Sequence, residues 1–405
     1  MMILSASNKN KVAIIGAGPV GLSLAYLLAK EGVFVDLFES NDDLSIDLRA
    51  STFHPSTLDL LDTLGVNEEL IAQGNIVPAI HFRDRKDFSL IAEFDFSALS
   101  ADTKFPYRLQ CEQWKLTKIL RARLEAMENV NLHFSSRVEN AGQTEAGIFI
   151  DVVNQDESRI FQADWLIACD GVGSAVRKSL NIDYEGFFFP EKFFSISTPF
   201  EYADHIQNLS HVTYIADPSE WCLMLRAPDL WRIMFPVPPE ESDEETKSDR
   251  AVQKRLQGLM HYSSDYEVKH KTIYRVQHRV ASTYRLGRVL LAGDAAHANN
   301  PLGGMGLNSG VHDAFNLADK LLQVILHGAS DELLDQYSRQ RRYVSMEHVN
   351  SQAAQNKELL ESNERSVRQA KLDDLRRRAE DPKLAREYIL KASLITSLKS
   401  AQEVQ

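Results

Sequence analysis

A strand, a glycine turn and a helix follow one another near the start of the chain, and this arrangement constrains the fold more than any other feature. The segment, residues 11–32, reads KVAIIGAGPVGLSLAYLLAKEG. An apolar strand leads into the pattern G-x-G-x-x-G, and helical periodicity then continues until Gly32 provides a stop. Such glycines let the backbone approach a pyrophosphate, whose charge the helix N-terminus stabilises. The pattern predicts a dinucleotide site, and its predicted contacts are Gly16, Ala17, Gly18, Pro19, Val20 and Gly21.

A second strand, VFVDLFE, follows the helix and ends at Glu39. Glu39 lies 18 residues after Gly21, where a carboxylate can accept both ribose hydroxyls of an adenosine. The same region also imitates a membrane anchor, because residues 12–29 form a run of 18 residues without a charge. The glycines, Pro19 and the charges that follow argue against that interpretation. We therefore predict a nucleotide-binding unit and no integral membrane segment.

Size and charge limit the classes of protein to which the chain can belong. Its 405 residues, of which 44% are hydrophobic, suffice for one large domain or two closely packed ones. The net charge of -12 would repel a phosphate backbone, so we expect no nucleic acid partner. Three scattered cysteines predict neither a disulfide framework nor a metal site, and they favour a cytoplasmic location.

Two later segments repeat the design of an apolar strand that enters a turn containing Gly and Asp. Residues 165–180, WLIACDGVGSAVRKSL, continue into a short helix, and residues 289–308, VLLAGDAAHANNPLGGMGLN, continue into a long one. The order and spacing of these segments resemble the single-component FAD monooxygenases that hydroxylate aromatic rings, the p-hydroxybenzoate hydroxylase family. The resemblance extends over residues 11–342 and includes LRASTFHPSTLDLLDTLG, YRLQCEQWKLTKILRARL and LLDQYSRQRR.

That resemblance implies a reaction as well as a cofactor. The chain is expected to bind FAD, to use NAD(P)H and O2, and to hydroxylate a phenolic or other electron-rich aromatic or heteroaromatic molecule through a C4a-hydroperoxyflavin. The protein itself is expected to position the reactants and to exclude water. A monomer or a homodimer is the expected assembly.

The resemblance also implies roles for individual residues. Asp294 matches an acid that accepts a hydroxyl of the cofactor, and the helix that opens near Leu307 and Asn308 points its N–H groups at the flavin ring. Pro301 matches a position beside flavin and substrate, where it would shape the pocket. His297 is expected to pack beside the ribityl chain rather than to act as an acid or base. The other implied cofactor positions are Arg49, Gln110, Asp170, Gly304 and Gly306, while Arg177 belongs to the second segment, which serves both FAD and nicotinamide.

Residues 187–239 differ from the rest of the chain in their pattern of aromatic, β-branched and turn-forming residues. Short aromatic and β-branched runs alternate there with turns that contain Pro and Asp. This pattern predicts antiparallel strands in a sheet that covers the substrate. His211, Tyr214 and Arg226 are the polar candidates for substrate contact, although the sequence does not reveal which face of the sheet each one takes.

These patterns predict an α/β chain in which a Rossmann-like FAD-binding domain, a parallel sheet with helices, is interleaved with an antiparallel-sheet substrate domain and followed by C-terminal helices. The predicted FAD-binding pieces are residues 8–75, 106–182 and 279–342; the substrate-domain pieces are residues 76–105 and 183–278; the C-terminal helices are residues 343–405. We expect these charged helices to pack on the cofactor domain or on another subunit.

Three alternatives share parts of this pattern. A flavin halogenase would carry a Trp-x-Trp-x-Ile-Pro stretch, but no two of the four tryptophans lie two residues apart. A quinone-biosynthesis hydroxylase that acts at the membrane surface would share every FAD motif. A flavin-binding sensor without turnover is a different class of protein, and assays of NAD(P)H oxidation with candidate aromatics would distinguish it.

Overall fold

Strands and helices alternate along the described chain, which comprises residues 11–46, 50–145, 147–155, 157–218, 220–349 and 365–405 of a computed structural model. The strands are β1 (Lys11–Ile15), β2 (Phe34–Phe38), β3 (Thr52–Phe53), β4 (Asn75–Val77), β5 (Ala79–Asp84), β6 (Leu90–Asp95), β7 (Arg108–Gln110), β8 (Val130–His133), β9 (Arg137–Thr144), β10 (Gly147–Asn154), β11 (Glu157–Ala163), β12 (Trp165–Ala168), β13 (Tyr184–Thr198), β14 (Val212–Ala216), β15 (Cys222–Arg226), β16 (Trp231–Val237), β17 (His270–Ala281), β18 (Arg285–Leu286), β19 (Val289–Leu291) and β20 (His297–Ala298).

The α-helices are α1 (Pro19–Lys30), α2 (Pro55–Thr63), α3 (Asn67–Ile71), α4 (Gln113–Glu125), α5 (Ala175–Ser179), α6 (Asp243–Lys247), α7 (Asp249–Leu259), α8 (Met305–His327), α9 (Glu332–Val344), α10 (Arg365–Glu380), α11 (Pro382–Ala392) and α12 (Ile395–Glu403). A π-helical turn, Ser345–Val349, continues α9, and short 3-10 turns occur at Phe96–Leu99, Tyr202–Asp204 and Gly293–Ala295. The long helix predicted to open near Leu307 begins two residues earlier, at Met305.

A largely parallel sheet has the strand order β18-β19-β12-β1-β2-β8. Ile14 in β1 lies between Ile167 of β12 and Leu37 of β2, and both pairings are parallel. The central strands β1, β12 and β19 are largely apolar, as expected where helices cover a parallel sheet, and α1 packs against α4 and α8 here. Since β19, β12 and β1 are parallel neighbours, the turns that follow them meet at one edge of the sheet.

A second sheet has the order β20-β17-β13-β16-β15-β14-β5-β6, and its pairs are antiparallel except β14 with β5. We call one face inner, and its buried core includes Phe82, Tyr214, Leu223 and Met234 together with Leu302 from the loop after β20. The opposite, outer face carries Ile215, Cys222 and Ile233 and is covered by Val252 and Leu256 of α7. The inner face is the one that meets the loop before α8.

The C-terminal helices cover the inner face. Leu372 and Leu375 of α10 and Ile389 of α11 are buried in the same core as Tyr214, whereas α12 packs against α9. We expected these helices on the cofactor domain or on another subunit, and α10 and α11 differ from that expectation. The reason is that these charged helices also carry apolar side chains, such as Leu372, Leu375 and Ile389, which pack against the apolar inner face. In the described part of the chain, no helix combines the length and apolarity that a bilayer crossing requires.

A small sheet, β3-β7-β4, links the two larger ones. It places Thr52 opposite Gln110 and Val77 opposite Arg108. Side chains two residues apart on a strand share a face, so Arg108 and Gln110 point to the same side of β7. The six-piece division into domains stays a prediction.

Candidate cofactor and substrate site

The first glycine turn leaves a space beside the N-terminus of α1. A Cβ atom at Gly16 would lie 2.4 Å from the Cys169 carbonyl oxygen, and one at Gly21 would lie 2.0 Å from the Gly16 carbonyl oxygen. Both positions therefore need glycine for packing within the protein, and Gly16 also has a positive φ of 104°. At Gly18, by contrast, an added Cβ would meet no heavy atom of the described residues within 4 Å. A pyrophosphate fits this open position at a positive helix end.

Glu39 holds its carboxylate against that turn. Its Oε2 accepts the backbone N–H of Ala17 at 2.9 Å, and its Oε1 accepts the backbone N–H of Asn41 at 3.0 Å. The residue directly follows β2 and is half-buried. Oε1 also accepts the Ser40 hydroxyl and the Asn41 side-chain amide, so Oε2, with one donor, is the oxygen that keeps acceptor capacity for a ribose hydroxyl. This geometry fits the adenosine end of a dinucleotide.

The second turn is held together by the two charged residues that the sequence singles out. Asp170 Oδ2 accepts the N–H groups of Ala175 at 2.8 Å and Val176 at 3.3 Å, and so it caps α5. Burial raises the pKa of Asp170, and its Oδ1 has no hydrogen-bond partner among the described residues. Arg177 donates to the Ala295 carbonyl at 2.9 Å and so connects the second turn to the third. The predicted contacts of Asp170 and Arg177 with cofactors stay predictions.

The third turn, around Gly293, is held in place by Asp313 and Arg341, two residues that the sequence analysis missed, together with His297. Asp313 Oδ2 accepts the Gly293 N–H at 2.9 Å and His297 Nε2 at 2.8 Å, while Asp313 Oδ1 accepts Arg341 Nε at 2.5 Å. All of these side chains are buried. Asp294, in contrast, is exposed on the turn. The only signal for Asp313 in the sequence is a charge on the apolar face of the helix, and its partner Arg341 lies 28 residues away.

The loop before α8 contains the glycines that the resemblance assigns to the flavin ring. Gly303 and Gly304 have positive φ values of 97° and 69°, and the Gly304 N–H donates to the Pro301 carbonyl at 3.0 Å. Gly304 is the N-cap of α8, so the N–H groups of the first turn, including those of Gly306 and Leu307, lack partners within the helix. Such a helix end attracts negative charge. The loop therefore fits the electron-rich edge of a reduced flavin.

The side chains of Asn308 and Gln110 are engaged inside the protein. Asn308 accepts the His54 N–H at 2.8 Å and donates to the Thr52 carbonyl at 2.8 Å, which fastens α8 to β3. Gln110 donates to Thr52 Oγ1 at 2.8 Å from the neighbouring strand. The hydrogen bonds of both side chains connect segments of the protein to each other. The predicted contacts of Asn308 and Gln110 with the cofactor stay predictions. Arg49, which was also predicted to contact the cofactor, lies outside the described residues.

His54 is a second residue that the sequence analysis missed. Its Nε2 lies 2.9 Å from the Gly303 carbonyl oxygen, and burial followed by the charge of Arg108 holds its pKa well below the ordinary value. A neutral ring beside a carbonyl must donate, so Nε2 carries the proton and Nδ1 is an acceptor. His54 Nδ1 has no partner in the described part of the chain.

Of the three candidates for substrate contact, the structure brings one to this loop. Tyr214 is buried on the inner face, and its hydroxyl interacts with Arg108 and with the Gly303 backbone. Alternation along β14 and β15 directs His211 and Arg226 to the outer face instead. There Arg226 Nε donates to Glu201 Oε2 at 3.1 Å, and the His211 ring lies 6.3 Å from that of Trp231. The structure therefore does not bring His211 or Arg226 to Tyr214.

The chain is similar in sequence and fold to known proteins. A family described as FAD binding domain matches residues 9–352. Para-nitrophenol 4-monooxygenase of Pseudomonas sp. strain WBC-3 is 34% identical over 350 residues, which cover 85% of this chain and 86% of the relative. 6-Hydroxy-3-succinoylpyridine 3-monooxygenase of Pseudomonas putida strain S16 is 33% identical over 353 residues, covering 86% of this chain and 88% of the relative. The crystal structure of p-nitrophenol 4-monooxygenase from Pseudomonas putida DLL-E4 superposes with a TM-score of 0.90 at 30% identity, covering 95% of this chain and 98% of that one.

Proposed function

The chain belongs to the FAD binding domain family of aromatic-ring monooxygenases, and on that premise we propose the kind of ring it hydroxylates and the residues that hold its cofactor. It is an enzyme that uses FAD, NAD(P)H and O2 to hydroxylate a small aromatic molecule. These relatives favour neither a quinone-biosynthesis hydroxylase nor a sensor without turnover.

The proposed substrate is an aromatic or heteroaromatic ring that already carries a hydroxyl group. Both of the relatives described above are named for such a ring, a nitrophenol in one case and a hydroxypyridine in the other. A hydroxyl raises the electron density of the ring, which favours attack by an electrophilic oxygen. The proposal is carried by the burial of Leu302 in the same core as Tyr214, because this packing joins the loop at the cofactor site to the inner face.

Each turn at the sheet edge has a proposed role toward FAD. Gly18 and the N-terminus of α1 hold the pyrophosphate, Glu39 accepts the ribose hydroxyls, and Asp294 accepts a hydroxyl nearer the flavin. The first turn of α8 donates its N–H groups to the pyrimidine edge of the ring. Bound FAD supplies the redox chemistry, because it accepts reducing equivalents from NAD(P)H and activates O2.

The rest of the site positions the substrate and excludes water. Phe82, Leu223 and Leu302 form an apolar inner wall, and α10 and α11 cover it. Dry surroundings protect a reactive oxygen species from water and strengthen the polar contacts that hold the ring. Pro301 fixes the backbone of the loop between wall and cofactor, and we propose that it shapes the pocket rather than transferring protons.

The function is tested by following NAD(P)H oxidation in the FAD-loaded enzyme with a panel of phenols, aminobenzoates and hydroxypyridines. We expect slow oxidation alone, faster oxidation with the correct ring, and a product heavier by one oxygen atom. Under 18O2 the label should enter the product. Label that arrives from water, or a panel in which no aromatic stimulates oxidation, would contradict the proposal.

Location and assembly are part of the proposal. The low cysteine content supports the cytoplasm, and we propose a monomer or a homodimer. Cell fractionation and light scattering of the FAD-loaded enzyme test these two points.

A further inference from the structure

One buried cation beside the candidate site, Arg108, has no counter-charge among the residues that the structure describes. Arg108 is 2% exposed, and its guanidinium lies over the Phe96 ring at 5.5 Å. Its Nη2 donates to the Ala392 carbonyl at the end of α11, at 3.1 Å. Its Nε has no hydrogen-bond partner, and no carboxylate pairs with the guanidinium, among the residues that the structure describes. An aromatic face, one carbonyl and the Tyr214 hydroxyl satisfy only part of what a five-donor cation requires.

Burial of such a cation is costly unless an anion or several acceptors compensate for the lost water. Two other buried arginines of this chain are compensated by carboxylates. Arg341 pairs with Asp313, and Arg255 makes a two-oxygen contact with Glu241 at 2.9 and 2.8 Å. Arg108 differs from both, so the missing acceptor is expected to come from a bound molecule.

The position of Arg108 identifies which molecule that is. Arg108 shares a face of β7 with Gln110 and interacts with the hydroxyl of Tyr214 on the inner face. Tyr214 in turn interacts with the Gly303 backbone in the loop assigned to the flavin ring. Tyr388 of α11, stacked on Phe94 at 4.1 Å, closes the same region from the C-terminal side. Arg108 therefore lies where the substrate, rather than the cofactor's phosphates, is bound.

We propose that Arg108 binds an anionic oxygen of the aromatic substrate, and that α11 holds the guanidinium in place through the Ala392 carbonyl. The inference rests on the proposed function and deepens it, because it restricts the substrate to rings that bind as anions. A phenolate and a ring carboxylate share this chemistry, since both offer a charged oxygen to the guanidinium fork. The C-terminal helices are thus part of the substrate site, although they lie beyond the matched family region.

The test compares anionic and neutral ligands of similar shape in the FAD-loaded enzyme. The probes are 4-nitrophenol above its pKa, benzoate, and neutral 4-nitroaniline, and binding is followed by the change in flavin absorbance. Arg108→Gln should weaken the anion that fits by about 10- to 100-fold, the loss expected for a charged hydrogen bond, and leave the neutral ligand unchanged. Arg108→Lys should recover part of the affinity. The anion that loses more affinity identifies the phenolate or the carboxylate as the bound group.

The matched control is Arg226→Gln, which removes the same charge from the outer face and should leave all three affinities unchanged. Equal weakening of anionic and neutral ligands by Arg108→Gln would mean a structural role and would overturn the inference. Selective loss of anion binding in Arg226→Gln would also overturn it. If neutral aromatics stimulate NAD(P)H oxidation but no anion binds the parent, the inference fails and the proposed function stands. If no aromatic stimulates oxidation, both fail.

Discussion

The Asp313 carboxylate is fully buried and receives three donors, two from the Gly293–His297 turn and one from Arg341 of α9. Burial by itself would raise its pKa, but Arg341 and His297 outweigh burial and hold the pKa at about 2. An unfolded aspartate has a pKa of about 3.9. The folded state therefore binds this proton less readily, so the carboxylate stabilises the fold above about pH 4 and loses that effect as the pH falls toward its folded pKa.

We expect Asp313→Asn to lower the free energy of unfolding at neutral pH by about 3–5 kcal/mol, because Arg341 is left as a buried, uncompensated charge. The difference between parent and variant should shrink as the pH is lowered from about 4 toward 2. Denaturant titrations across that range measure it. The control is Asp319→Asn on the exposed side of α8. A difference that does not change with pH would contradict this account of Asp313.

At the scale of elements, the glycines of the turn between β1 and α1 have two different roles. Gly16 and Gly21 are needed for packing within the protein, whereas Gly18 leaves space for a ligand. Gly18 has an ordinary φ of -72° and open space where a Cβ would stand, whereas Gly21 has the Gly16 carbonyl oxygen in that place. We expect Gly18→Val to fold normally without FAD but to bind FAD at least ten times more weakly, because the side chain takes the place of the pyrophosphate. Calorimetric titration of the apoprotein with FAD measures the affinity.

Gly258→Ala in α7 is the control for that substitution, since it also adds a Cβ, with 3.4 Å to its nearest neighbour, but on the outer face. We expect it to leave FAD affinity unchanged. If Gly18→Val bound FAD as tightly as the parent, the first turn would not be the pyrophosphate site.

The Pro301–Gly304 turn is the second element whose role can be tested without loss of FAD binding. Pro301 restricts the backbone whose carbonyl accepts the Gly304 N–H. We expect Pro301→Gly to retain FAD while a several-fold larger share of NAD(P)H oxidation ends as hydrogen peroxide, because a looser turn admits water. The ratio of peroxide to hydroxylated product measures this share. Pro228→Gly in the β15–β16 hairpin serves as the control, and an unchanged ratio in Pro301→Gly would exclude a shaping role.

At the scale of the whole molecule, we propose that one cofactor joins two segments, residues 16–21 and 293–308, that are separated by about 270 residues of the chain. FAD at 100 times its Kd should raise the free energy of unfolding by about 2.7 kcal/mol. Amide hydrogen exchange should slow in both segments together as FAD is added. Helix α7, on the outer face, should show only the global stabilisation. Protection confined to one segment would contradict a shared site.

The sequence by itself determined the parts of this protein that depend on local chemistry. Glycine spacing, apolar strand runs and an acid at the end of β2 predicted the dinucleotide unit, and the order of the three turns predicted the family and its reaction, as the relatives confirm. These features could be predicted because backbone turns and helix ends act over a few residues. The FAD contacts of individual residues stay predictions.

Only the tertiary structure decided the features that depend on contacts between distant segments. Tyr214 lies on the inner face of the sheet, whereas His211 and Arg226 lie on the outer face. The sequence pattern of short, aromatic-rich strands does not reveal which face is the inner one. The ion pair of Asp313 with Arg341, and the burial of Arg108 without a carboxylate partner among the described residues, also depend on folding. Whether a charged side chain is buried, and which groups pair with it, depends on segments that are distant in the sequence. These properties are therefore decided by the tertiary structure.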